Sequence, residues 1–225
     1  MNIKTSSLPR RAGAALLLLA LALLGACGAA PKYDYTAFRN NRPASLLVLP
    51  PVNESPDIKA TYGVLAQATL PLAEAGYYVL PVSLVDETFR QNGLTTPTDI
   101  HAVPAAKLRE IFGADAAVYI TIKSYGTSYL IISSDTLVRV EGRIVDLRSG
   151  QVLWQGGASA SSSENEGSNE GGLVGLLVRA VVSQVINTAT DASYKVAGVA
   201  SQRLLGAPRH DGVLFGPRSP RYQKD

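Results

Sequence analysis

Val118-Tyr119-Ile120-Thr121-Ile122-Lys123 alternates apolar and polar side chains residue by residue, and this stretch decides the fold. A period of two puts Val118, Ile120 and Ile122 on one face of a strand and Tyr119, Thr121 and Lys123 on the other. The alternation returns downstream, where Val138, Val140 and Ile144 oppose Arg139, Glu141 and Arg143. One face is then apolar and the other a charged ladder, as expected of an antiparallel sheet. Asp146-Leu-Arg-Ser-Gly150 has turn composition, and Gln151 to Ser159, with Trp154, reads as the return strand. This part of the chain is expected to be an antiparallel meander.

Toward the N-terminus the period changes to that of helices. Ser45 to Leu49 is a continuous apolar run ended by Pro50-Pro51, the pattern of a buried strand, and Pro51 to Asp57 is rich in turn residues. Between Ile58 and Ala75 the apolar positions Val64, Leu65, Ala68 and Leu72 have helical spacing, with Pro71 expected to kink the helix and Gly76 to end it. Tyr77 to Leu80 reads as a second strand. Ser83 with Asp86 resembles a capping box opening a helix that Gly93 closes. Pro104 suits the first turn of a further helix that turns Leu108, Ile111 and Phe112 inward.

Beyond the meander, Ser161 to Gly172 is a low-complexity loop carrying Glu164, Glu166 and Glu170. Leu173 to Leu205 reads as one long helix whose first part is apolar nearly all round, so that it must be buried in the domain, an oligomer or lipid. The fold expected is a single α/β domain over 45–205. It has a mixed sheet, an N-terminal β-α-β-α-α half, an antiparallel C-terminal meander and one long C-terminal helix. Residues 206–225 form a basic Pro/Gly-rich tail, or an arm that packs through Val213, Leu214 and Phe215.

The first 26 residues have the three parts of a secretory signal. Lys4, Arg10 and Arg11 are its positive end, Ala12 to Leu24 its apolar run, and Gly25-Ala26 the small residues before a cut. The uncharged stretch 12–26 is shorter than the roughly 20 residues a spanning helix needs, although a retained membrane anchor is the alternative. Leu24-Gly25-Ala26-Cys27 resembles the bacterial lipoprotein cleavage box, and Cys27 is the only cysteine of the chain. The resemblance implies cleavage before Cys27 and acylation of it, with several acyl chains giving stable anchoring. Gly28 after the cysteine favours the outer membrane by the same resemblance, with the body in the periplasm. Residues 27–44 read as a lipidated tether, or as an arm packed through Tyr33, Tyr35 and Phe38.

The signal also distorts the charge balance. The chain carries 21 basic and 18 acidic side chains, and three of the basic but none of the acidic ones lie in the first 26 residues. The chain beyond the cut is formally neutral, which removes the electrostatic argument for a nucleic-acid partner.

No catalytic pattern emerges. Two histidines, His101 and His210, have no partner ligands at metal spacing and no Ser or Cys motif beside them. Nucleophile elbows and phosphate-binding glycine loops are absent from the sequence. Gly156-Gly157 reads as a bulge or bend within a strand. No enzyme, cofactor or metal site is therefore expected. Candidate partner contacts are Tyr125 and Tyr129, two aromatics on an expected turn between strands, and Arg218 and Tyr222 in the stiff basic tail.

Val48-Leu-Pro-Pro-Val-Asn53, Pro71-Leu-Ala-Glu-Ala-Gly-Tyr-Tyr-Val-Leu-Pro81, Phe89-Arg-Gln-Asn-Gly93, Phe112-Gly-Ala-Asp115, Tyr125-Gly-Thr-Ser-Tyr129 and Gly216-Pro-Arg-Ser-Pro220 together resemble a family of bacterial lipoproteins of the neisserial genome-derived-antigen type, a domain of unknown function. That resemblance spans essentially the whole chain after Cys27. It implies a fold similar to the N-terminal domain of TolB and to curli-channel-type lipoproteins. It also implies partners that are other envelope lipoproteins or further copies of the chain, and an accessory role in envelope transport or secretion. A periplasmic binding module for a small molecule or peptidoglycan fragment is the alternative.

Overall fold

A computed structural model describes residues 33–129, 134–165, 192–207, 209 and 211–224. The compact unit begins at Asp34. Its elements, in order, are α1 (Thr36–Asn41), β1 (Ser45–Val48), β2 (Val52–Asn53), α2 (Ala60–Glu74), β3 (Tyr78–Val79), α3 (Val82–Gln91), α4 (Pro97–His101), α5 (Ala105–Phe112), β4 (Ala116–Tyr129), β5 (Ser134–Asp146), β6 (Val152–Ser161) and α6 (Ala192–Leu205). A short 3-10 turn, Ser162–Asn165, comes after β6.

The strands form one six-stranded sheet in the order β3-β1-β4-β5-β6, with β2 also pairing on β4. β3, β1, β2 and β4 run parallel, while β4, β5 and β6 form the antiparallel meander. The mixed α/β fold expected from the sequence is the fold observed. β1 is apolar at consecutive positions because both of its faces are covered: Leu46, Leu47, Val48 and Leu49 are all inaccessible to solvent.

Strand alternation sorts the core into two layers. Ile120 pairs with Gly142, and Gly142 faces α6, since a Cβ there would stand 3.0 Å from Leu204. Val118, Ile122, Val138 and Val140 share that face and are buried with it. α2 lies beside α6 on this side, where Gly198 abuts Gln67. On the opposite side α3, α4 and α5 pack Val85, Phe89, Ile100 and Leu108 against Leu47, Leu49 and Tyr119. The sheet is thus sandwiched between helices, but only partly on the second side.

Several local expectations are corrected. Ser83 is not a cap, because α3 starts at Val82 behind Pro81 and no side chain caps it. Burial of Val85 and Phe89, not capping chemistry, holds that helix in place. Ile111 is 44% exposed, so only Leu108 of the three expected positions is fully inward. His101 closes a short helix, α4, that Thr96 caps by accepting from the Asp99 amide. Gly156-Gly157 is no bulge; both pair in unbroken register with Gly142 and Glu141. Gly156 is needed for another reason, because a Cβ there would stand 2.5 Å from the Trp154 ring. The register shifts lie instead at Ile122/Ser124 and Ile144/Val145.

The packed unit runs wider than 45–205. Phe38 of α1 is buried, and so are Val213 and Phe215 of the C-terminal segment. That segment is fastened by backbone bonds from Gly216 to the Ala75 carbonyl and from Arg218 to the Gly76 carbonyl. Tyr77 donates its hydroxyl to the Leu214 carbonyl, and Trp154 its indole N–H to the Asp211 carbonyl. Gly76 takes φ of 98°, and a Cβ there would collide with the Ser219 backbone 2.4 Å away. Of the long helix expected over 173–205, Ala192–Leu205 is helical; residues 173–191 lie outside the described residues.

Candidate functional site

Among the described residues no group of three metal-ligating side chains converges, and no helix is long and apolar enough to cross a membrane. His101, the one described histidine, is a packing residue. Its Nε2–H donates to the Pro50 carbonyl at 3.0 Å, and its ring stands edge-on to Tyr119 with centroids 5.1 Å apart. Burial lowers its pKa, the Pro50 contact opposes this, and Arg143 adds to the lowering. Cys27 and His210 lie outside the described residues.

The four expected partner contacts do not form one site. Tyr125 is a correction: it is 4% exposed and packs against Gly63 of α2. The turn expected at 125–129 is instead the far end of β4, paired residue by residue with 134–138 of β5. The side chain of Tyr129 lies outside the described residues. Arg218 and Tyr222 each lie near β3, against different residues. Arg218 lies over the Tyr78 ring at 5.1 Å, and Tyr222 lines a cleft of about 180 Å³ with Phe38, Arg42, Tyr77 and Phe215. Both therefore help seat the tail on its own domain.

The opposite end of the sheet is more open. α3, α4 and α5 cover the outer face over β1, β4 and only the Val145 end of β5, so the charged ladder along the rest of β5 meets solvent: Arg139, Glu141 and Arg143 are exposed. So are their neighbours Gln155, Gly157 and Ser159 on β6. Charges on this face are partly matched. Lys123 Nζ lies 2.9 Å from Glu54 and 3.7 Å from Glu141, and Arg143 lies over the Tyr119 ring at 4.7 Å.

Along β6 this face deepens into a trough of about 490 Å³. Its floor is Gly157-Ala158-Ser159, one bank carries Arg139 and Glu141, and the other carries Arg203 and Arg209. Arg203 donates to the Ser159 carbonyl at 2.7 Å and pairs with Glu164 at 2.6 Å. Arg209 donates to the Arg203 carbonyl at 2.6 Å. Burial lowers the Arg209 pKa, and the neighbouring Arg203 charge lowers it further. The Arg139 guanidinium has no hydrogen-bond or ion-pair partner among the described residues. The alternation at 138–144 pointed to one bank of this trough. No sequence pattern marks Arg203 and Arg209, because the contact that places Arg203 spans 44 residues of chain.

A family model described as "Putative lipoprotein GNA1162-like" matches residues 33–218. The chain is 52% identical over 203 residues to "Putative lipoprotein NMB1124/NMB1162" of Neisseria meningitidis, covering 89% of this chain and 94% of that protein. The crystal structure of lipoprotein GNA1162 from Neisseria meningitidis superposes with a TM-score of 0.53 at 53% identity, covering 65% of this chain and all of the other. A PelC dodecamer subunit from Paraburkholderia phytofirmans is more distant, with a TM-score of 0.40 at 14% identity over 71% of this chain and 93% of that one.

Proposed function

The chain belongs to the GNA1162-like lipoprotein family, and on that premise we propose that it is a lipid-anchored envelope protein without enzymatic activity, held by acylated Cys27 at the outer membrane with its body in the periplasm. Its role in this reading is that of an accessory or structural subunit in an envelope transport or secretion assembly. The observation that carries it is the family match over residues 33–218, with the Leu24–Cys27 lipoprotein box standing immediately upstream. One structural feature supports it: the outer face of β5 and β6 offers an exposed polar surface suited to a protein neighbour.

A periplasmic binding module would need an enclosed pocket among the first strands and helices. That volume is filled by Leu47, Leu49, Val85, Phe89 and Leu108. The assembly reading is therefore the better supported.

Two measurements test it. Labelled palmitate is expected to enter the wild-type chain and not Cys27→Ala, and labelling that persists in the variant refutes the anchor. Affinity purification from gently solubilised membranes is expected to recover envelope lipoproteins or further copies of the chain. Recovery of a lone monomer counts against the assembly role.

A further inference from the structure

We propose that the rim of the domain from which β1 and β3 start faces the membrane, with Arg42, Arg218, Arg221 and Lys224 resting on the phosphates of anionic phospholipids. The proposal rests on the anchored reading, which brings a bilayer within reach, and goes beyond it by fixing which side of the body meets the lipid.

The first argument is charge. Beyond the expected cut the chain is formally neutral, but its charges are unevenly placed. Residues 27–44 and 206–225 together carry seven basic and three acidic side chains, whereas 45–205 carry 11 basic and 15 acidic. The fold brings the two terminal segments together. Tyr35 donates its hydroxyl to the Gly212 carbonyl, and Arg39 and Arg42 border the same cleft as Tyr222 and Gln223. Arg42 stands three residues ahead of β1, and Arg218 lies over Tyr78, where β3 begins. Ser45 and Tyr78 are partners in register, so these cations share one rim.

All four side chains are exposed, and their own partners are uncharged. Arg42 donates to the Arg39 carbonyl and Lys224 to the Pro220 carbonyl, while Arg218 and Arg221 lie over the rings of Tyr78 and Phe215. None of the four has a carboxylate partner among the described residues, in contrast to Arg90 and Arg203. Nearby, Asp115 is matched by Arg148. The exposed acids Asp34, Glu74 and Asp211 are outnumbered by the four cations with Arg39. Guanidinium forks match phosphate oxygens, so this rim suits a phosphate-bearing surface.

The second argument is reach. Asp34, where the compact unit begins, is seven residues beyond Cys27. An extended chain spans at most about 3.6 Å per residue, so α1 is held within roughly 25 Å of the acylated cysteine. Buried Phe38 fixes α1 to the domain, and the neighbouring cations share its leash. Basic groups brought to within a Debye length, about 10 Å, of an anionic bilayer are drawn onto it. An acidic protein would suit the charge equally, but the anchor supplies a bilayer at this rim and no such protein.

The test uses the full acylated chain in two kinds of vesicle, phosphatidylcholine alone and phosphatidylcholine with about one-third phosphatidylglycerol. Arginine modification by phenylglyoxal is read residue by residue after digestion. In the anionic vesicles Arg42, Arg218 and Arg221 are expected to react roughly fivefold more slowly than in the neutral ones. Arg90, bonded to Tyr62 in the first turn of α2, and Arg139, paired with Ser124 in the far half of β4, are expected to be unchanged. Salt at about 0.5 M, which screens charges beyond about 4 Å, is expected to abolish the difference. Arg221→Glu combined with Lys224→Glu is expected to abolish the slowing at Arg42, whereas Arg221→Lys retains it. Equal reactivity in the two vesicles overturns the proposal. So does slowing that extends to Arg90 and Arg139, survives the salt or persists in the double variant. Flotation separates this proposal from the anchor. A chain that floats with neutral vesicles but reacts equally in both keeps its anchor and loses the contact. One that floats only with anionic vesicles loses the anchor and keeps the contact.

Discussion

Gly63 lies directly under the Tyr125 hydroxyl: a Cβ at residue 63 would stand 2.6 Å from that oxygen and 3.3 Å from the ring carbon bearing it. The contact joins α2 to β4 across the buried face of the sheet. In an unobstructed helix Gly→Ala gains up to about 1 kcal/mol of helical propensity. Here the collision outweighs the gain, because such overpacking typically costs about 1–3 kcal/mol. Gly63→Ala is expected to lower the thermal midpoint. Tyr125→Phe in the Gly63→Ala background is expected to be less damaging than Tyr125→Phe alone. Additive effects in this double-mutant cycle would refute the contact.

Trp154 is the only tryptophan, which makes Gly156 testable by fluorescence. Gly156→Ala drives a methyl group into the indole ring, which is buried and hydrogen-bonded to the Asp211 carbonyl. The variant is expected to lose about 1–3 kcal/mol and to show red-shifted native emission as the ring is displaced. Native emission identical to wild type would show that the strand accommodates the methyl group.

Asp115 ties the start of β1 to the β5–β6 turn. It accepts from the Ala44 and Ser45 amides, the Ser45 hydroxyl and the Arg148 guanidinium. Burial raises its pKa, but these donors, the Ala44 and Ser45 bonds foremost, outweigh burial and leave it below the usual carboxylate value. The depressed pKa means that its contribution is present above about pH 4, the unfolded value, and is lost as pH falls through the folded one. Asp115→Asn is expected to cost about 1–3 kcal/mol at neutral pH and to flatten the acid limb of the urea-midpoint profile. An unchanged acid limb would contradict the assignment.

His101 acts in a higher window. Its folded pKa is lowered, chiefly by burial, so the unfolded chain takes up the proton first. The contribution of this group to stability is complete above about pH 6.5 and declines as pH falls below it, until the folded pKa is passed. His101→Gln retains a side-chain donor for the Pro50 carbonyl and removes the titration. Its urea midpoint is expected to vary less than wild type between about pH 7.5 and pH 5. Parallel profiles would refute the prediction.

The legible parts of this fold were those governed by local periodicity. Val118–Lys123 and Val138–Ile144 announce the meander because a strand that is buried on one face must alternate. Ser45–Leu49 announces the central parallel strand because burial on both faces suppresses alternation. The turn expected at Tyr125 does not form, although Gly126, with φ of 137°, and the Thr-Ser after it have turn composition. Pairing with β5 along the 14-residue β4 overrode that local preference. The trough on β6 was legible only on its β5 bank. Its other bank depends on where α6 ends against the sheet, and its openness on how far α3–α5 reach across it; no nearest-neighbour pattern encodes either.

The docking of residues 211–219 carries a temporal consequence. These residues follow every strand of the sheet in the chain, so the carbonyls that receive the Tyr77 and Trp154 side chains, and the amides that bond to Ala75 and Gly76, emerge after the strands they fasten, from a ribosome or across a membrane alike. Until then the hydroxyl of Tyr77 and the indole of Trp154 lack these acceptors. The two ends of the sheet therefore lock only once residues 211–219 have emerged, and a chain stopped short of residue 211 would be left as an open, degradable intermediate.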